Sequence, residues 1–389
     1  MTASPPRWDG VAFGLALSVL ATFQQYKLPP VLPILLDRYG YDRVLAGGLM
    51  AVYAVCGLAL SVRAGRALDR FGLRLVEVAC LAFAAGSALG LALPDSGAVM
   101  LASRALEGLG YTVLAIAGPA IATRAAADHA VLVAGIVAAW VPIGQLLANA
   151  IAYPFADAGA WQPVWWAALA ATLAVLGWTQ TIRHAFGLGG AAAAAALDPA
   201  ERRALVLASL VFLVFSGQYI GFMSWLNAYL VEAMGLGAGL AVGAASLAAF
   251  FVVVFNVGTG FALRGGLPIG PVFVGSLAAE ALTWFAVPWL SGEAGLLTLA
   301  LYGVACGMTP VCLFAMPALI VGRRAGATAF GVLMRGRNVG VLVGPLLVPF
   351  VAGRVGWNAV WPLYGGMTLA AAGCAWLLVR RLAAAAPRT

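Results

Sequence analysis

Apolar residues run along this chain in blocks of about 20, the length needed to cross a bilayer core as a helix. Such blocks recur near 11–36, 45–64, 75–94, 98–122, 130–153, 162–182, 204–231, 238–262, 269–290, 294–320, 327–352 and 358–379. The pattern predicts an all-α polytopic membrane protein with twelve transmembrane helices. Gly and Pro are frequent inside the blocks, which spanning helices tolerate. The first block begins near Val11 and continues past any small-residue cleavage site, so it reads as a spanning helix rather than a signal peptide. The one long polar-flanked connection is 183–203, with an alanine run over 191–196 followed by Asp198, Glu201, Arg202 and Arg203. It divides the chain into a six-helix bundle over 1–182, a linker over 183–203 and a second six-helix bundle over 204–389.

Composition agrees with that pattern. The chain is 63% hydrophobic and 9% charged, where soluble domains carry about 25% charged residues. A net charge of +8 would suggest a nucleic-acid partner in a soluble protein, but here topology accounts for it. With the N-terminus in the cytoplasm, one set of loops holds Arg7, Arg63, Arg66, Arg70, Arg74, Arg124, Arg183, Arg202, Arg203, Arg264, Arg323, Arg324, Arg380, Arg381 and Arg388. The opposite set holds Arg38, Arg43 and Arg354. The positive-inside rule then predicts an inner-membrane protein with both termini cytoplasmic. The cysteines, Cys56, Cys80, Cys306, Cys312 and Cys374, lie in apolar blocks without C-x-x-C spacing, so neither a disulfide framework nor a metal site is expected. No nucleophile–base set or phosphate loop points to an enzyme or to a cofactor.

The chain repeats itself at an offset of about half its length. Gln25-Tyr26 returns as Gln218-Tyr219, Gly65-x-Ala67-Leu68 as Gly260-x-Ala262-Leu263, Gly135 and Gly144 as Gly331 and Gly340, Pro154-Phe155 as Pro349-Phe350, and Trp161-x-x-x-Trp165 as Trp357-x-x-x-Trp361. Two similar halves of like orientation predict a pseudo-twofold axis along the membrane normal, with substrate bound between them.

The loop after the second block, Gly65-Arg66-Ala67-Leu68-Asp69-Arg70-Phe71-Gly72-Leu73-Arg74, resembles the G-x-x-x-D-R-x-G-R-R signature of the major facilitator superfamily, with Leu73 in place of one arginine. Arg104-Ala-Leu-Glu107-Gly108-Leu-Gly110 resembles the family's R-x-x-x-G-x-G motif. The resemblance implies a secondary transporter working by alternating access. Gly65, Asp69, Arg70 and Arg74 would form a cytoplasmic gate, with Asp69 facing a helix N-terminus of the other half. The fifth-span signature of drug exporters is poorly matched, and the arginines of the family's nitrate porters are absent from spans two and eight.

Charges inside the blocks cost about 2.5–3.5 kcal/mol each even on the lenient insertion scale, which makes them functional candidates. Lys27, the single lysine, lies deep in the first block. Arg104 and Glu107 share a face of the fourth and sit at similar depth, so a Lys27–Glu107–Arg104 cluster with one net positive charge is expected. Arg335, Arg337 and Asn338 lie in the eleventh block, and Glu280 stands alone in the ninth with an expected structural role. The reading is a monomeric transporter of a small organic or inorganic anion such as a carboxylate, with protons as the candidate coupling ion. Lys27, Arg337, Arg335, Asn338, Gln24, Gln218, Tyr219 and Gln145 are the substrate candidates; Lys27, Glu107 and Arg104 are the proton-coupling candidates. The rivals are a proton-driven exporter of apolar compounds and a non-transporting membrane scaffold.

Overall fold

The structure, a computed structural model, describes residues 7–126, 130–182, 197–287, 292–321 and 327–385. The first half comprises α1 (Trp8–Tyr26), a 3-10 turn (Pro29–Val31), α2 (Leu32–Tyr39), α3 (Arg43–Phe71), α4 (Leu73–Ala92), α5 (Gly97–Ala125), α6 (Ala130–Ala138), α7 (Trp140–Ala156) and α8 (Gln162–Ile182). The second comprises α9 (Pro199–Glu232), α10 (Ala238–Arg264), α11 (Ile269–Ala286), α12 (Gly292–Val321), α13 (Ala327–Val355), a 3-10 turn (Trp357–Ala359) and α14 (Val360–Ala385). There is no strand among the described residues. Nine of the described helices are long and apolar enough to cross a membrane.

Two of the expected spans are broken rather than continuous, and proline explains both. Pro29 and Pro30 have no N–H to offer the carbonyls of Gln25 and Tyr26, so α1 stops at Tyr26 and the chain resumes as α2. Pro142 withholds a donor from the Ala138 carbonyl in the same way, and the fifth block divides into α6 and α7. In the second half α9 starts earlier than expected, at Pro199. Asp198 and Glu201 form a reciprocal capping box there, with bonds of 2.7 and 3.0 Å, so 199–203 is helix rather than linker. The rest of the expected linker, 183–196, lies outside the described residues.

Membrane helices associate through close packing and interhelical hydrogen bonds rather than by expelling water, and small residues permit the approach. A Cβ on Gly344 of α13 would lie 2.1 Å from the Gly217 carbonyl oxygen of α9, and one on Gly118 of α5 would lie 2.6 Å from the Gly14 carbonyl oxygen of α1. Large apolar side chains such as Leu81, Trp166, Leu282 and Leu301 point outward, as lipid contact requires.

The halves meet where α3 packs on α13 and where α6 and α7 pack on α10. They touch at both ends. On the face away from the chain termini, Arg43 pairs with Glu232 at 2.6 Å, and Asp157 at the end of α7 accepts the Gly239 N–H of α10 at 2.8 Å. A carboxylate there also complements the α10 dipole. Towards the other face, Gly135 of α6 meets Gly260 of α10, where a Cβ on Gly135 would sit 3.5 Å from the Gly260 Cα. Two small cavities, of about 10 and 40 Å3, lie between the halves.

Candidate functional site

The break in α1 organises the first polar cluster. The carbonyls of Gln24 and Gln25, orphaned at the helix end, accept from Arg104 Nη1 and Nη2, each at 2.7 Å, while Arg104 Nε reaches the Leu49 carbonyl at 3.3 Å. A cation at a helix C-terminus satisfies the free carbonyls and the negative dipole end together. Arg104 Nη1 also binds Glu107 Oε2 at 2.8 Å. Glu107 Oε2 accepts from Tyr53 at 2.8 Å, and Oε1 accepts from Lys27 Nζ at 2.5 Å and from Ser87 at 2.9 Å. The ammonium spends its other donors on Gln24 Oε1 and Ser87 Oγ, both at 2.8 Å, and lies 4.6 Å from the Trp165 ring centroid. Lys27, Arg104 and Glu107 are all fully buried.

This placement corrects the expectation that Lys27 and Gln24 line the substrate space. Gln24 Nε2 donates to the Ala168 carbonyl and Thr172 of α8, at 3.1 and 2.8 Å, so its side chain and the ammonium beside it point into the first half. The cause is again the proline break, which gives Arg104 carbonyls to fill and draws the acid and the lysine in behind it.

A second cluster lies inside the other half. Gln218 of α9 donates through Nε2 to Glu280 Oε1 of α11 and accepts from the Tyr302 hydroxyl of α12 at 3.4 Å. Gln218 therefore also turns away from the space between the halves, another departure from the expected substrate-facing position. Glu280 is fully buried; its Oε2 has no partner among the described residues.

Between the halves stand different residues. Tyr219 of α9 donates to Gln145 Oε1 of α7 across the interface. Arg337 of α13 is buried, donates to the Tyr111 hydroxyl of α5 at 3.2 Å and lies 5.6 Å from the Trp140 ring centroid. Among the described residues no carboxylate is within ion-pair distance of it. The larger cavity is walled by Arg337, Tyr219, Asn256 and aromatic side chains including Trp140, Phe215 and Phe314. Onto the smaller cavity converge Tyr26, Gln145, Asn149 and Asn227, and three of their polar atoms, Tyr26 Oη, Gln145 Nε2 and Asn227 Oδ1, have no hydrogen-bond partner among the described residues. Buried polar atoms are satisfied in most proteins, so such a convergence marks a place for water or ligand.

A profile of the Major Facilitator Superfamily matches residues 14–334. The chain belongs to the major facilitator superfamily. It is 32% identical over 165 residues to the uncharacterized transporter YgaY of Escherichia coli, in strain K12 and in O157:H7 alike; the match covers 41% of this chain and 41% of that relative. Its fold matches the crystal structure of the human organic anion transporter MFSD10 (TETRAN) with a TM-score of 0.72, over 96% of this chain and 100% of that one at 18% identity. The protein is thus a multi-pass membrane protein of this transporter superfamily.

Within that family frame the remaining candidates separate. Arg335 is exposed and Asn338 half-buried, its Oδ1 3.5 Å from Arg337 Nη1. Of the signature loop, Gly65 has open space where a Cβ would stand, Arg70 lies over the Phe71 ring, and Arg74 is exposed. The side chain of Asp69 lies outside the described residues. Sequence reasoning missed Tyr53 and Tyr111, whose rings pack at 5.4 Å and which join the first cluster to Arg337. A tyrosine in an apolar block carries no sequence mark of whether its hydroxyl serves a cluster or an interface belt. It missed Tyr26 and Asn227 for the same reason.

Proposed function

We propose that this transporter carries an organic anion, a carboxylate with an apolar body, by alternating access across the inner membrane, with both termini cytoplasmic and the chain acting as a monomer. The observation that carries this reading is Arg337, a buried cation between the halves with no carboxylate beside it among the described residues. A charge in that position costs several kcal/mol of desolvation, on the order of the binding energy an anion returns on arrival. Around it, Tyr219, Gln145, Asn149 and Asn227 supply hydrogen bonds, and Trp140, Phe215 and Phe314 supply apolar wall. The aromatic wall favours an organic over an inorganic anion. The solved relative that bears the name organic anion transporter shares the fold, which fits the same class. Arginine asymmetry along the sequence supports the orientation.

In this scheme Asn338 orients the guanidinium, and Gly65, Asp69, Arg70 and Arg74 close the cytoplasmic end. The Arg43–Glu232 pair and the Asp157–Gly239 contact close the other. Lys27, Arg104 and Glu107 hold the first half rigid, so that it moves as one body. In this scheme the halves part to admit substrate to the two cavities between them.

The test is a thermal-shift comparison of the purified full chain with lactate, succinate and benzoate, run in parallel on Arg337→Gln. A ligand that binds the folded state raises its melting temperature. Stabilisation of the wild type that the variant loses supports the reading. Equal stabilisation of both moves the anion site away from Arg337, and counterflow of the same labelled acids in proteoliposomes then decides whether any is carried.

A further inference from the structure

Two carboxyl groups are fully buried among the described residues, Glu107 and Glu280, and they are provided for in opposite ways. Glu107 has two cations within 2.8 Å; Glu280 has none within ion-pair distance. Three elements face Glu280. From α9 comes Gln218, whose amide donates to Oε1. From α12 come Tyr302, bonded to the other end of Gln218 at 3.4 Å, and the Cys306 thiol beside the carboxyl. The third, α14, packs along α11, and its Tyr364 hydroxyl donates to the Gly344 carbonyl at 3.5 Å. The titratable groups that face it are therefore a tyrosine and a thiol; no arginine, lysine, histidine or second acid among the described residues pairs with it.

A group so placed is poorly explained as scaffold. An ionised carboxylate here would lack a counter-ion among the described residues, and what an acid adds over an amide at such a place is a proton it can lose. An acid is required only if the proton is required. The position is also connected. Gln218 precedes Tyr219, which holds Gln145 of the opposite half, so the hydrogen-bond state of Glu280 reaches the contact between the halves through a single residue step of α9.

We propose that Glu280 is the proton-carrying site of this transporter. A proton carried by water from one side of the membrane adds to Oε2, forming the O–H bond and neutralising the carboxylate; the halves rock, and that bond breaks to return the proton to water on the other side. Gain and loss of that proton alter the Gln218 hydrogen bond and thereby the grip of Tyr219 on Gln145. The inference rests on the transport reading above but not on the identity of the anion.

The experiment has two arms. In the first, infrared difference spectra of the purified full chain are recorded on stepping pH through the neutral range, with no anion present. The expected result is a carboxylic-acid C=O band that grows and fades with pH, is missing from Glu280→Gln, and is moved but retained in Glu280→Asp. Absence of any pH-dependent band that Glu280→Gln removes would overturn the proposal. In the second arm, proteoliposomes are given labelled lactate or benzoate and a pH step of one unit, which for one coupled proton drives at most about tenfold accumulation, or about 1.4 kcal/mol. The wild type should concentrate the acid, and the ratio of pH-driven accumulation to simple exchange should fall about tenfold in Glu280→Gln. Accumulation that survives in Glu280→Gln overturns the coupling role. If the wild type carries neither acid, the anion reading fails, and the infrared arm still decides on Glu280. Gel filtration of both variants, with Glu280→Asp as the conservative case, separates loss of the proton site from loss of the fold.

Discussion

The two halves hold polar clusters at matching places, and they are balanced differently. Ser87 and Glu280 are as far apart in the chain as Gln25 and Gln218, so the repeat that pairs Gln25 with Gln218 also pairs the serine with the acid, although the glutamine side chain that joins the first cluster is that of Gln24, one residue earlier. In the first half a glutamine, a serine, a lysine, an arginine and a glutamate satisfy one another, and each lysine donor is used. In the second a glutamine and two weakly polar neighbours face a carboxyl that no cation among the described residues neutralises. Duplication has kept the location of polar groups but not their charge balance. A closed network resists change and so stiffens its half, while an unbalanced group is free to change protonation. At the interface between the halves Arg337 has no carboxylate within ion-pair distance among the described residues.

The largest difference between the clusters should appear on removing an acid. Glu107→Ala strands two buried cations and should cost about 3–5 kcal/mol of stability, read as a large loss of monodisperse protein and melting temperature in detergent. Glu280→Gln, which strands nothing, should fall within about 1 kcal/mol of the wild type. Equal losses in the two variants would collapse the contrast.

Arg337→Gln should leave the melting temperature of the unliganded protein close to that of the wild type and weaken anion binding by about 2–5 kcal/mol, roughly 30- to 4000-fold in affinity. Titration calorimetry with the acid that stabilises the wild type measures it. Unchanged affinity would make Arg337 a structural cation like those of the first cluster.

Arg104→Lys asks whether that cluster needs a fork or merely a charge. An ammonium cannot reach the Gln24, Gln25 and Leu49 carbonyls and Glu107 together, so at least one buried carbonyl is left unpaired, at about 1–3 kcal/mol. A melting temperature equal to the wild type would mean that charge alone suffices.

The smallest effect is set outside both clusters. Asp157→Asn keeps an acceptor for the Gly239 N–H but removes the charge from the α10 N-terminus, a term of about 0.3–1 kcal/mol. The population open at that face should rise roughly two- to fivefold, seen as a longer-distance component between spin labels on Ala160→Cys and Leu236→Cys. An unchanged distance distribution would show that the Arg43–Glu232 pair alone holds that end.

Much of the architecture was legible in the sequence because the bilayer imposes it. A 20-residue apolar block needs no tertiary information to be read as a span, and a repeat of motifs along the chain reads as two like halves. Charges inside such blocks are so costly that they announce themselves, which is why Lys27, Arg104, Glu107, Glu280 and Arg337 could all be singled out. Their directions could not be. Depth follows from counting residues along a helix, but the facing of Lys27 depended on a break that Pro29 and Pro30 introduce two residues later, and Gln218 turned inward because an acid on another helix waited for it. Tyr53, Tyr111, Tyr26 and Asn227 gave no signal, since an aromatic or amide in an apolar run reads alike whether it faces lipid, a partner helix or a cavity.

By itself the sequence determined that this protein lives in a bilayer, that it is built twice over, and which few residues carry charge there. The hydrophobic effect and the cost of a buried charge act on single residues, so both can be read one position at a time. Only the tertiary structure decided which charges satisfy one another and which remain open, because pairing is a property of distance between helices far apart in the chain. Glu107 is met by Lys27 and Arg104, whereas Glu280 and Arg337, in the same bilayer, are not.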